Sequence, residues 1–289
     1  MGGARLNYAG NIFWLASYPK SGNTWLRIFL GQMLGHADAR TEDINRLGVP
    51  HGAANSRYNF DDIIGIDAAE LEQSTVDMLR PRVYEVLSAE AKSPVYMKTH
   101  DAWQLTPAGE PLYPKNATKG VIHIVRDPRD VAVSMSHFNA SPVDEMIDFM
   151  AEPDVCFINS GHSLRHRLRT RTLDWSGHAQ SWLECPLPRL TVRYEDMLHD
   201  SLNTFTCIAK FAQIEAGEKK ILQAIAACSF SRLRELEDKS RFADTPREAD
   251  RFFRTGQSGG WKGVLSDAQV ERIVEVHGSM MQRLGYCLD

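Results

Sequence analysis

The sequence has no apolar run of the length a membrane-spanning helix needs, about 20 residues. Its opening segment carries one basic residue, Arg5, and a short apolar stretch that Pro19 interrupts, so the long apolar core of a secretory leader is missing. Cysteine is scarce. Cys156, Cys185, Cys207, Cys228 and Cys287 are odd in number, scattered, and form no C-x-x-C pair. That excludes a disulfide framework and a zinc ribbon, and it predicts reduced thiols in a cytoplasmic protein. An excess of positive charge is also lacking: 33 Lys and Arg against 37 Asp and Glu give a net charge of −4. A general nucleic-acid binder is therefore excluded, and cationic side chains should gather locally around an anionic ligand. His162 and His166 form an i,i+4 pair without the Glu of H-E-x-x-H or a third ligand. They read as a solvated helix face, and no metal is expected.

What is present is a chain of 289 residues, 43% hydrophobic, enough to build a substantial core. Short β-rich runs occur at residues 12–17, 95–98, 121–125 and 190–194, and helical patterns at 25–34, 130–138, 174–183 and 201–211. This alternation predicts one α/β domain spanning residues 1–289, with a P-loop-like, mainly parallel sheet of about four to five strands flanked by helices. Ligands of such sheets sit beyond the carboxyl ends of the strands. Residues 35–93 and 139–172 read as insertions of the length used for lids and substrate loops. The second carries Arg165, Arg167, Arg169 and Arg171, expected to be exposed or mobile and able to attract an anionic acceptor.

The most informative stretch runs from Ile12 to Trp25: I-F-W-L-A-S-Y-P-K-S-G-N-T-W. It predicts a buried strand, a polar turn, and a helix that starts near Asn23. Gly22 lets backbone N–H groups converge, and the helix start offers unpaired N–H groups and a positive dipole end. Lys20 adds a full charge, Ser21 and Thr24 add hydroxyls, Asn23 is a short capping residue, and Trp25 offers a flat apolar face. Together these cradle a phosphate or sulfate. The turn is not a Walker A loop, in which Lys follows the second Gly of G-x-x-x-x-G-K-S/T.

Three further segments follow strand-like runs. Lys98 and His100, two apart on an extended chain, point to one side, which makes a base and a charge clamp in one place. The lysine also favours a neutral imidazole. At R-D-P-R-D-V-A-V-S, Arg126 sits at a strand tip where it can fork onto a phosphate, and Ser134 lies on a following helix. Asp127, Pro128 and Asp130 read as cap, first-turn and structural residues. Arg254 opens the glycine-rich F-F-R-T-G-Q-S-G-G-W-K, in which Gly256, Gly259 and Gly260 allow close approach to an anion.

These four segments resemble, in order, those of sulfotransferases that use 3′-phosphoadenosine 5′-phosphosulfate (PAPS). P-K-S-G-N-T-W is similar to the family's 5′-phosphosulfate loop and K-T-H to its catalytic segment. R-D-P-R-D-V-A-V-S and the C-terminal glycine loop are similar to its 3′-phosphate segments. The resemblance implies that His100 takes a proton from an acceptor hydroxyl and that Lys20 and Lys98 stabilise the sulfuryl group. It also implies that Lys20, Ser21, Gly22, Asn23, Thr24 and Trp25 hold the 5′ end. Arg126, Ser134, Arg254, Thr255 and Gly256 would then hold the 3′-phosphate, with Thr255 standing where the family commonly has Lys. Tyr194 would approach the adenine, while Glu195 and Asp196 would cap the next helix. Asp101 replaces a common Leu or Pro and is expected to change the entrance. The segment from Lys262 to Glu271 loosely resembles a family dimer motif with its central pair altered, which implies a monomer or weak homodimer. The expected partner is a small-molecule or glycoconjugate hydroxyl acceptor, with PAPS as co-substrate and no metal. The alternatives are a P-loop nucleotide kinase, which would need the missing Walker A lysine, and a non-enzymatic nucleotide-binding protein of related fold.

Overall fold

The computed structural model describes residues 10–36, 41–49, 52–157, 167–246 and 249–288. A four-stranded sheet of β1 (Ile12–Ser17), β2 (Val95–Thr99), β3 (Thr118–Val125) and β6 (Arg189–Arg193) runs in the order β2-β1-β3-β6, with every neighbouring pair parallel. The helices are α1 (Asn23–Met33), α2 (Arg57–Ile64), α3 (Gln73–Glu90), α4 (Pro128–Asn139), α5 (Val143–Ala151) and α6 (Trp175–Glu184). They continue with α7 (Tyr194–His199), α8 (Ser201–Phe211), α9 (Glu218–Ala227), α10 (Phe230–Lys239) and α11 (Asp267–Arg283). A small antiparallel ribbon joins β4 (Cys156–Phe157) to β5 (Thr170–Arg171). Among the described residues no helix is long and apolar enough to cross a membrane.

β1 is buried along its whole length because both of its faces are covered. Phe13 and Leu15 pack with α1 and α8, while Ile12, Trp14 and Ala16 pack with residues of α3 and α6. This is the two-residue period of a strand written into two separate cores. Trp14 anchors the second core. Its ring meets Tyr84 and Tyr113 edge-on at 4.9 and 4.8 Å, and its Nε1 donates to Thr118 Oγ1 at 2.9 Å. A third core joins α4, α5, α6 and α11.

The expected strands and helices are present with shifted ends, and one shift matters. Tyr194, expected to end a strand, is the first residue of α7, because β6 stops at Arg193. The excursion between α1 and β2 contributes α3, whose Val76, Val83 and Tyr84 help cover the sheet. The chain thus leaves β1, β2 and β3 at one edge, just before Lys20, His100 and Arg126 respectively, and leaves β6 at the same edge directly into α7 at Tyr194.

Candidate active site

At that edge lies a cavity of about 740 Å³. Its wall includes Lys20, Gly22, Asn23, Thr24, Trp25, Lys98, His100, Arg126, Ser134, Tyr194, Arg254, Thr255 and Gly256. Of the residues expected at the site only Ser21 is absent from the wall. It is 1% exposed, and its Oγ has no partner among the described residues.

The turn after β1 is shaped by two left-handed residues, Lys20 at φ 65° and Gly22 at φ 101°. A Cβ on Gly22 would stand 2.7 Å from the Tyr194 ring, so glycine answers both the backbone angle and the packing. For Lys20 the positive φ is a local strain of the kind found at ligand-binding turns. Gly22 is the N-cap of α1 and no side chain caps that helix, so its first N–H groups stay free of side-chain acceptors. Asn23 therefore is not the expected cap. Its Nδ2 donates instead to Leu15 O at 2.8 Å and Ser17 Oγ at 3.2 Å, strapping the turn to β1, while its buried Oδ1 has no partner among the described residues.

Three titratable groups meet beyond β1 and β2. The Lys20 ammonium rests on the Phe138 and Phe252 rings, 3.9 and 4.2 Å from their centroids. Burial, reinforced by Arg126 and Lys98, pulls its pKa down to about 7. Burial likewise brings Lys98 down to about 8, opposed by the nearby Asp244 carboxylate. His100 Nδ1 lies 2.7 Å from the Ser17 carbonyl oxygen, a contact that assigns its proton to Nδ1 and leaves Nε2 as an acceptor. The imidazole is held neutral, its pKa well below the usual value, by burial first and by Lys98 second. His178, buried on α6, stands close enough to add to this lowering.

Asp101 is not at the entrance. It is 1% exposed and pairs with the equally buried Arg80 of α3 at 2.7 Å. It also accepts from Arg171 N at 2.9 Å. This pair ties α3 to β5 directly behind His100.

At the other end Arg126 donates to Lys20 O at 2.9 Å and to Gln257 O at 3.1 Å, with its guanidinium 4.4 Å over the Tyr194 ring. It joins the first turn to the C-terminal glycine loop, and its buried Nε has no partner among the described residues. Gly256, at φ 61°, lies so close to Phe230 that a Cβ would stand 2.2 Å from that ring. Asp130 has a part that the sequence did not reveal: it accepts from Gly259 N at 2.7 Å and Trp261 N at 3.0 Å and so anchors the glycine loop. Its acidic first-turn position in α4 was the available signal, but its partners lie more than a hundred residues away. Glu195 does not cap a helix as expected. It is buried, accepting from Asp127 N at 3.1 Å and Tyr286 Oη at 2.9 Å.

The arginine run is not a free basic patch. Arg169 pairs with Asp77 at 2.7 Å, and Arg171 with Asp154 at 2.6 Å, whereas Arg167 reaches the cavity wall. His162, Arg165 and His166 lie outside the described residues. Among the described residues no three His, Cys, Asp or Glu side chains come together as metal ligands.

Comparison with known proteins places this geometry in context. The model of the sulfotransferase domain family matches residues 11–285. The chain is 25% identical over 286 residues to flavonol 3-sulfotransferase of Flaveria bidentis, an alignment covering 91% of this chain and 79% of that protein. It is 26% identical over 266 residues to cytosolic sulfotransferase 10 of Arabidopsis thaliana, covering 90% and 74%. Among solved structures it is similar to mouse sulfotransferase SULT7A1 complexed with PAP, with TM-score 0.58, 21% identity, and 97% and 87% of the two chains covered. Retinol dehydratase in complex with androsterone and inactive cofactor PAP gives TM-score 0.59 and 18% identity over 94% and 81%. At these identities the solved structures carry the fold.

Proposed function

The chain belongs to the sulfotransferase domain family, and from that premise we propose that it transfers a sulfuryl group from PAPS to the hydroxyl of a small acceptor with His100 as general base. One observation carries the assignment of the base. The Ser17 carbonyl holds the Nδ1 proton of a neutral imidazole, which leaves Nε2 to accept a proton in the cavity that Lys20 and Lys98 also line. A relative solved with PAP, adenosine 3′,5′-bisphosphate, supports the choice of nucleotide. Relatives named as cytosolic, and five free cysteines, support a cytoplasmic setting.

The residues present fit a nucleotide with an anion at each end. At the 5′ end wait an uncapped helix start, the unpartnered Ser21 Oγ and the Lys20 ammonium. At the 3′ end Arg126, Ser134 and Arg254 line the wall. When bound, PAPS supplies an activated sulfuryl group. Lys20, Lys98 and the N–H groups of the turn then stabilise charge that grows on the sulfuryl and bridging oxygens. His100 would remove the acceptor proton as the new S–O bond forms and the bond from sulfur to the bridging oxygen breaks, with PAP leaving, a contribution of about 10²–10⁴-fold for a placed base. The Ser17 carbonyl keeps its ring in register.

The test compares the wild type with His100→Ala. Release of PAP and formation of sulfated product from a panel of phenols are followed by mass spectrometry, and PAP affinity by calorimetry. Affinity should stay within about twofold while turnover falls by about 10²–10⁴-fold. Full turnover in the variant would require another base.

A further inference from the structure

The wall of the cavity that holds His100 also carries Arg167 and Asp244. Arg167 is fixed there by backbone bonds. Ala54 N donates to Lys98 O at 2.8 Å and Lys98 N donates to Gly52 O at 3.2 Å, so residues 52–54 lie along the outer side of β2. Residue 56 in turn bridges Arg167, and Leu168 N donates to Asn55 O at 2.8 Å. Asn55 Nδ2 secures the same junction by donating to Thr170 Oγ1 at 2.8 Å. A short ladder thus runs from Lys98 to Arg167, and the arginine's place relative to the transfer site is set by main chain.

Opposite stands the Asp244 carboxylate. It lies 3.5 Å from Arg27 and 3.6 Å from Arg167. Burial would raise its pKa, but Lys98, Arg27 and Arg167 together hold it below the usual carboxylate range. Among the described residues three cations therefore share this anion. Arg27 and Lys98 suffice to balance Asp244, and the contact to Arg167 is the longer and more exposed of its two ion pairs. An ammonium entering this region would be repelled by the three cations that already surround the carboxylate. An anion can take Arg167 and leave Asp244 with its other two neighbours.

We infer that the acceptor is a hydroxyl compound that carries an anionic group of its own, which Arg167 receives while the hydroxyl faces His100. The inference rests on the sulfotransferase reading and narrows it to a substrate class. Arg169 and Arg171, already paired with Asp77 and Asp154, take no part in it.

The probes are para-hydroxybenzoate, para-hydroxyphenylacetate and para-hydroxyphenylpropionate, each compared with its primary amide, together with tyramine. Binding to the enzyme–PAP complex is measured by calorimetry, and transfer from PAPS is measured separately. At least one carboxylate should bind about tenfold more tightly than its amide. A larger ratio is not expected, because Arg167 is partly solvated. Arg167→Gln should erase that ratio while leaving amide binding unchanged, and Asp244→Asn should preserve or increase it. Equal affinity across every acid–amide pair, a ratio that survives Arg167→Gln, or a preference for tyramine overturns the inference. Transfer to amides and acids alike would then leave the sulfotransferase reading standing. Failure of PAP to bind at all would remove both.

Discussion

Arg126→Ala separates two jobs that one guanidinium performs. In the empty site Arg126 braces the first turn through Lys20 O and the glycine loop through Gln257 O. In the loaded site the same fork is proposed to receive the 3′-phosphate. Loss of the brace should weaken any nucleotide that uses the Lys20 turn. One neutral hydrogen bond at about 1 kcal/mol corresponds to roughly fivefold. Loss of the phosphate contact adds a charge-assisted pair, discounted for partial exposure to about 2–3 kcal/mol, or roughly 30- to 150-fold. AMP, which lacks the 3′-phosphate, should therefore weaken about fivefold and PAP by some 10²- to 10³-fold. Calorimetric or competition titrations of both nucleotides against both proteins give the double difference. Arg126→Lys should recover part of the PAP loss, because it restores charge without the fork. Equal losses for PAP and AMP would refute the 3′-phosphate role and leave only the brace.

The two lysines predict a pH dependence. Below about pH 7 Lys20 is already charged in the empty site, whereas above it the empty site loses a proton that the anion-loaded site retains. PAP affinity should then fall as pH rises, by up to about tenfold per pH unit, with uptake of a proton on binding. Calorimetry in buffers of different ionisation enthalpy measures this. Lys20→Met should abolish the step near 7 and leave the one from Lys98 near 8, and absence of proton uptake would contradict the burial argument. The Arg80–Asp101 pair predicts a stability effect. Asp101→Asn strands a guanidinium that is 2% exposed and should cost about 3–5 kcal/mol in urea unfolding, while Arg80→Met with Asp101→Leu should cost less. A single-variant loss below about 1 kcal/mol would show that the charge finds water.

Much of the site was legible because its pieces are local. β1 is a run of large apolar residues that ends in a turn whose Lys and Gly carry their own conformational message. Lys98 and His100 share a face because of strand period, and Arg126 precedes a well-formed helix start at Asp127 and Pro128. What escaped was the choice of partner for charged and polar side chains. Asn23 looked like a cap and is a strap, since Gly22 had taken the cap position. Asp101 looked like an entrance residue and is buried on Arg80, 21 positions earlier on α3. Asp130 looked merely structural and grips a loop on the far side of the chain. The arginine run divided into paired and cavity-facing members only once Arg167 and Leu168 lay against Ser56 and Asn55. Such pairings follow from strand order, which no local period encodes.

Strand order also explains why the cations crowd together. With β1 in the middle, β2 on one side and β3 on the other, the three successive carboxyl ends deliver Lys98, Lys20 and Arg126 to neighbouring places. Burial is the first cause of the lowered pKa of Lys20 and of Lys98, with Arg126 and Lys98 adding to it at Lys20 and Arg27 and Arg167 adding to it at Lys98. An incoming anion relieves that repulsion at both ends at once. A neutral ligand of the same shape cannot do so. On the proposed function, selectivity for a doubly anionic nucleotide would belong to the whole edge of the sheet, and replacing Arg126 or Lys98 should raise the pKa of Lys20. Arg126→Ala should therefore shift the onset of the PAP affinity loss to higher pH even as affinity itself drops. An unchanged onset would mean that burial alone sets the Lys20 proton.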